Sequence, residues 1–196
     1  HCFPGATLAD LDKDGLPELI ITADAGTINN KLRQTTILWN KGGAFSESNI
    51  TLLPANSFLP NQIVTDAQVL DINDDGLLDI VQTGTQALYD GWFIQILLNQ
   101  GNKRFVDATS QLMSVANSGG GAPGSSSGTP WGMWVRPMDF NADGFMDLTL
   151  EYAGGLPASI PLVWLNDGTG HFTTLKAGDF VSTDRLWQLE IGRAHV

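Results

Sequence analysis

The chain carries a single cysteine, Cys2, in 196 residues. That excludes an internal disulfide and the covalent staples on which small secreted domains depend. Basic residues are scarce, 10 against 21 acidic ones, leaving a formal charge of -11. Such a balance argues against nucleic acid or an anionic membrane surface as partner. No apolar run reaches the roughly 18 residues that a membrane-spanning helix needs, so no membrane insertion is expected in this segment. No signal-peptide pattern is present either. Only three histidines occur, His1, His171 and His195, and no Ser-His-Asp spacing, phosphate-binding glycine loop or zinc signature accompanies them. None is expected to be catalytic or metal-bound.

What is present repeats three times. Asp71-Ile72-Asn73-Asp74-Asp75-Gly76-Leu77-Leu78-Asp79 places side-chain oxygens at loop positions one, three, five and nine, with glycine at six. Asp10, Asp12, Asp14, Gly15 and Glu18 repeat the pattern, as do Asp139, Asn141, Asp143, Gly144 and Asp147. Calcium takes six to eight hard oxygens, and acids at alternate positions can all turn inward where glycine lets the backbone bend sharply. A backbone carbonyl near position seven, from Leu16, Leu77 or Phe145, would complete each set. Ten of the acids sit at these ligand positions, so three bound calcium ions would bring the charge from -11 to -5.

The residues after each loop decide the type of calcium module. Position twelve is Ile21, Gln82 or Leu150, not the bidentate glutamate of an EF-hand. The runs from Glu18, Asp79 and Asp147 are short and β-branched, and they predict strands rather than helices. A second strand follows each, ending in asparagine, then a glycine turn, then phenylalanine: Asn40 and Phe45, Asn99 and Phe105, Asn166 and Phe172. Each reads as a hairpin. The first aspartates lie 61 residues apart (Asp10 to Asp71) and then 68 (Asp71 to Asp139). The excess in the second interval falls in the Gly/Ser/Pro-rich stretch from Asn117 to Pro130.

The unit is therefore four antiparallel strands in about 60 residues: one entering the loop, one leaving it, and a hairpin pair. In the second unit these are predicted at 63–70, 79–85, 92–98 and 104–108. Four strands per repeat is a propeller blade. At this level the chain resembles the FG-GAP or VCBS repeats, as in the propeller of integrin α subunits. The resemblance implies an all-β fold: a β-propeller fragment of about three four-stranded blades from a larger, seven-bladed ring. Blades are expected over 3–49, 62–109 and 131–177, with the start of a fourth to 189. Carried over by position, the metal ligands are Asp10, Asp12, Asp14 and Glu18; Asp71, Asn73, Asp75 and Asp79; and Asp139, Asn141, Asp143 and Asp147. Loop one departs by carrying glutamate behind Pro17, and its site is the one the resemblance supports least.

The chain begins at His1 without methionine and is expected to be a piece of a longer protein, whose end blades leave apolar faces open. Residues 190–196 read as the translation of a common sequencing-library adapter and are set aside. Calcium loops of this kind suit an extracellular or cell-surface setting with millimolar calcium. Trp39 and Trp164 occupy equivalent positions and are expected to pack between blades, whereas Tyr89, Trp92, Trp131 and Trp134 are candidates for ligand contact on the rim opposite the loops. The expected function is a non-catalytic, calcium-stabilised module for adhesion or for recognition of a protein or carbohydrate. The alternative is the propeller of a secreted polysaccharide-active enzyme, a lyase or hydrolase.

Overall fold

A computed structural model describes residues 5–22, 27–28, 31–32, 34–55, 62–86, 90–118, 130–153 and 158–180. Tyr89, any fourth blade and residues 190–196 lie outside the described residues. The first sheet contains β1 (Ala6–Ala9), β2 (Glu18–Ile21), β5 (Thr36–Leu38) and β6 (Ile50–Leu52), paired in that order. A small hairpin, β3 (Thr27–Ile28) with β4 (Lys31–Leu32), connects β2 to β5. The second sheet runs β7 (Gln62–Leu70), β8 (Asp79–Gln86), β9 (Asp90–Asn99) and β10 (Phe105–Asp107). The third is β11 (Trp131–Met138), β12 (Asp147–Ala153), β13 (Pro161–Asn166) and β14 (Phe172–Lys176). All pairings within these three sheets are antiparallel. Three four-stranded blades thus follow one another along the chain, and among the described residues they do not close a ring.

Strand alternation tells each side chain which neighbouring blade it meets. In the middle blade Ile80 and Leu97 join a core with Leu11, Ile20, Ile37 and Trp39 of the first. Val81, Ile94 and Ile96 turn the other way, into a core with Val135, Leu148 and Trp164 of the third. Both faces of the middle sheet are therefore buried, which explains the near-continuous apolar run of β9. The first blade has a neighbour on one face only. On its other face Leu8, Ile21, Ile50 and Leu52 are exposed.

The expected packing of Trp39 and Trp164 is found: each is buried between two blades. Trp39 donates its indole N–H to Thr51 and Trp164 to the carbonyl of Val115. The stretch after β10 held a surprise. A one-turn helix, α1 (Thr109–Leu112), leads into residues whose backbone bonds the outer edge of β9, Ile94 N–H to Ala116 and Ser118 N–H to Trp92. Leu112, Met113 and Ala116 fill the wedge between the second and third blades.

Close approach fixes one glycine. A Cβ on Gly84 would overlap the carbonyl oxygen of Ile63 and the ring of Phe93. Only a residue without a side chain lets β7 and β9 pack against β8 there.

Candidate metal centre

The turn from the first to the second strand of every blade has the same backbone. Position four is left-handed (Lys13 at φ 61°, Asp74 at 56°, Ala142 at 61°), and so is the glycine at six (89°, 83° and 95°). The first aspartate holds this winding. Its two oxygens accept the N–H groups of positions five and six: Asp71 takes Asp75 at 3.1 Å and Gly76 at 2.7 Å. Asp10 and Asp139 do the same within their loops. The position-five carboxylate then accepts the N–H of position seven in all three (Asp14 from Leu16, Asp75 from Leu77, Asp143 from Phe145).

Position nine is buried. Glu18, Asp79 and Asp147 are each 0% exposed. In the second blade, Asp79 accepts the N–H of Ile72 at 3.0 Å on one oxygen and that of Asn99 at 2.8 Å on the other. Asp147 is held the same way by Phe140 and Asn166. Glu18 accepts the Leu11 N–H on Oε2 at 2.7 Å, and the Asn40 N–H also favours its ionised form, although Oε1 is buried without a hydrogen bond of normal geometry among the described residues. A buried oxygen left in this way costs about 1–3 kcal/mol, and more if charged.

Glu18 belongs to a cluster. Carboxylate atoms of Asp10, Asp12 and Glu18 lie within 4.8 Å of one another, a grouping that could hold a metal ion. Position three explains why the other loops differ. Asn73 and Asn141 donate their amides to Asp75 and Asp143, a bond that Asp12 cannot make when ionised. The first loop, which departs from the sequence pattern, is thus where carboxylates converge most closely. Its donor set, hard carboxylate oxygens with the buried Glu18 among them, fits a calcium-class cation. When bound, such an ion would neutralise the repulsion and tie the two strands together; it would supply no chemistry beyond that.

The electrostatics agree. Burial raises the Asp79 carboxyl to about 6, opposed by the N–H groups of Asn99 and Ile72 and reinforced by Asp75 and Asp71. Glu18 is also raised, first by burial, with the N–H groups of Leu11 and Asn40 acting against it and Asp12 and Asp14 adding repulsion.

The first and second loops are also fastened to the blade that follows them. The amide of Asn99 donates to the carbonyl of Leu11 in the first loop at 3.0 Å and to Leu78 in its own at 3.1 Å. Asn166 repeats this with Ile72 and Met146. Asn40 bonds Pro17 in its own loop. The sequence marked these asparagines as repeat anchors without showing what they do, because the partner lies in another repeat.

The aromatic candidates separate. Trp92 is buried, edge-on to Tyr152 and Trp164 at centroid distances of 5.8 and 5.6 Å, so the expectation that it lies open to a ligand is corrected. The reason is the wedge of residues 115–118, which pairs with its backbone and covers that end of β9. Trp134 is 39% exposed, with the Arg136 guanidinium 5.7 Å from its ring centre. Arg136 in turn pairs with Asp66 of the preceding blade at 3.0 Å. Trp131 is half-buried at the start of the same strand.

Acidic loops of this geometry within four-stranded blades define a class of repeat. A family model described as FG-GAP-like repeat matches residues 10–82 and again 71–150. Both matches open on the first aspartate of a loop, and together they cover well over half of the chain, which belongs to this family. No curated protein and no solved structure matches it.

Proposed function

We propose that these blades are a calcium-stabilised propeller module, working outside the cell and without catalysis, that presents a rigid surface to a protein or carbohydrate ligand. The observation that carries the metal part is the convergence of Asp10, Asp12 and the buried Glu18 in the first loop. Three loops of one backbone geometry support a stoichiometry of about three ions. Our reading puts recognition on the rim opposite the loops, where the blade connections differ in length and where Trp131 begins β11, with Trp134 directly after its bulge. Tyr89 falls on the same rim by sequence. Variable connections on a repeated scaffold are where binding residues are usually carried.

The test has two arms. Metal content of the chain after equilibration with calcium and desalting should be about three ions. A screen of immobilised glycans and matrix proteins should give a signal that Trp134→Ala reduces while the calcium content holds. Release of unsaturated sugar products from a polysaccharide would instead assign the module to a polysaccharide lyase.

A further inference from the structure

The two blade interfaces bury different chemistry at matching positions. Counted from the anchor asparagines Asn40, Asn99 and Asn166, Thr35 corresponds to Ile94, and Gln95 to Leu162. Counted from the position-nine acids Asp79 and Asp147, Gln82 corresponds to Leu150. Where the second blade meets the third, these positions are apolar: Ile94 and Leu150 sit in the shared core and Leu162 packs against it. Where the first meets the second they are Thr35, Gln82 and Gln95, all buried. By strand alternation Gln82 and Gln95 share the face that Ile80 and Leu97 turn toward the first blade.

These polar side chains form one connected run. Thr35 donates its hydroxyl to Gln82 Oε1 at 2.8 Å, and Gln82 donates its amide to Gln95 Oε1. Gln95 donates to Asp107 at 2.7 Å and to the carbonyl of Pro54 at 3.3 Å. Asp107 is exposed, so the run ends at water. Thr35 leads into β5 and Pro54 follows β6 of the first blade, whereas both glutamines belong to the second.

We propose that this run of amides selects blade neighbours: the first blade accepts one that carries the glutamine pair and rejects one with leucines in those places. A second blade stacked on the second blade of another copy would set Gln82 and Gln95 against Ile94, leaving buried amides without partners at the full cost of their lost hydration. The discrimination comes from penalising the wrong match more than from strengthening the right one. Misassembly between similar neighbouring units is the failure to which repeat chains are prone.

The experiment uses the whole chain at fixed calcium, with urea unfolding for stability and refolding at raised protein concentration, followed by sizing, for assembly. Gln82→Leu alone should lower the folding constant by about tenfold or more, because Thr35 and Gln95 both lose a partner. Thr35→Val, Gln82→Leu and Gln95→Leu together should bring it back to within about tenfold of wild type, since well-packed apolar residues can replace a buried polar set. That triple variant should nevertheless refold with a severalfold larger share of dimers and larger species than wild type. A cycle of Thr35→Val and Gln82→Leu, singly and together, serves if the triple variant does not fold: once the first change is made, the second should cost less than about threefold. Effects that simply add in the cycle, or a triple variant that refolds as cleanly as wild type, would overturn the proposal.

Discussion

The side-chain amide of Asn99 reaches across 88 residues of sequence to donate to the carbonyl of Leu11, while its backbone N–H donates to the buried carboxylate of Asp79. Leu11 in turn donates its own N–H to Glu18. One asparagine therefore joins the turn of the second blade to that of the first. Asn99→Ala leaves the carbonyls of Leu11 and Leu78 without that donor inside the protein. The expected cost is about 3 kcal/mol of unfolding free energy. Asn40→Ala, which loses two exposed bonds within its own blade, should cost about 1 kcal/mol or less. Urea denaturation of the two variants gives the comparison.

A second expectation concerns pH. Folding holds the Asp79 carboxyl at about 6, above its ordinary value. Without metal, the folded state thus binds more protons than the unfolded one between about pH 4 and 6. Stability from this group is fully present below the unfolded value and is lost as pH rises through 6, on the order of 3 kcal/mol in all. Calcium needs the ionised form, so it offsets the loss on the alkaline side. Carbon NMR of the Asp79 carboxyl should show a midpoint near 6 in chelator, displaced downward by calcium. A midpoint near 4 in chelator would remove the effect.

Gly84→Ala should destabilise the middle blade by more than about 3 kcal/mol, because the methyl group meets a backbone carbonyl rather than a movable side chain. Thermal unfolding of the variant is the check. A shift of only a degree or two would mean that β7 and β8 separate there without cost.

Trp92 of the second blade and Trp134 of the third should behave oppositely. Trp92→Ala removes a buried ring between two others and should cost about 3–5 kcal/mol. Trp134→Ala, at a half-open site, should cost less than about 1 kcal/mol and show its effect in ligand binding. Paired denaturation and binding curves separate the roles.

How much of this was legible beforehand depends on distance along the chain. The loops and strands were readable because their determinants are local: alternation in β8 and β9, glycine at position six, aspartate bonding its own turn. The asparagines were readable as a repeating mark but not as a link, since Asn166 and Ile72 are 94 residues apart. The wedge of residues 109–118 carried no period at all, and that is why Trp92, which it covers, was expected in the open. The first loop looked the least certain because glutamate departs from the pattern as a residue, yet it is the loop in which three carboxylates converge.

The most direct measurement of the central claim is the thermal unfolding of the whole chain at neutral pH in chelator, in magnesium and in calcium. A site filled at a hundredfold excess over its Kd adds about 2.7 kcal/mol, and each kcal/mol raises Tm by roughly 2–4 °C in a chain of this size. Calcium should therefore raise the midpoint by several degrees for each site it fills. Magnesium, with its small and rigid octahedral shell, should raise it much less. Three superimposable curves would contradict the claim that these turns are built to hold calcium.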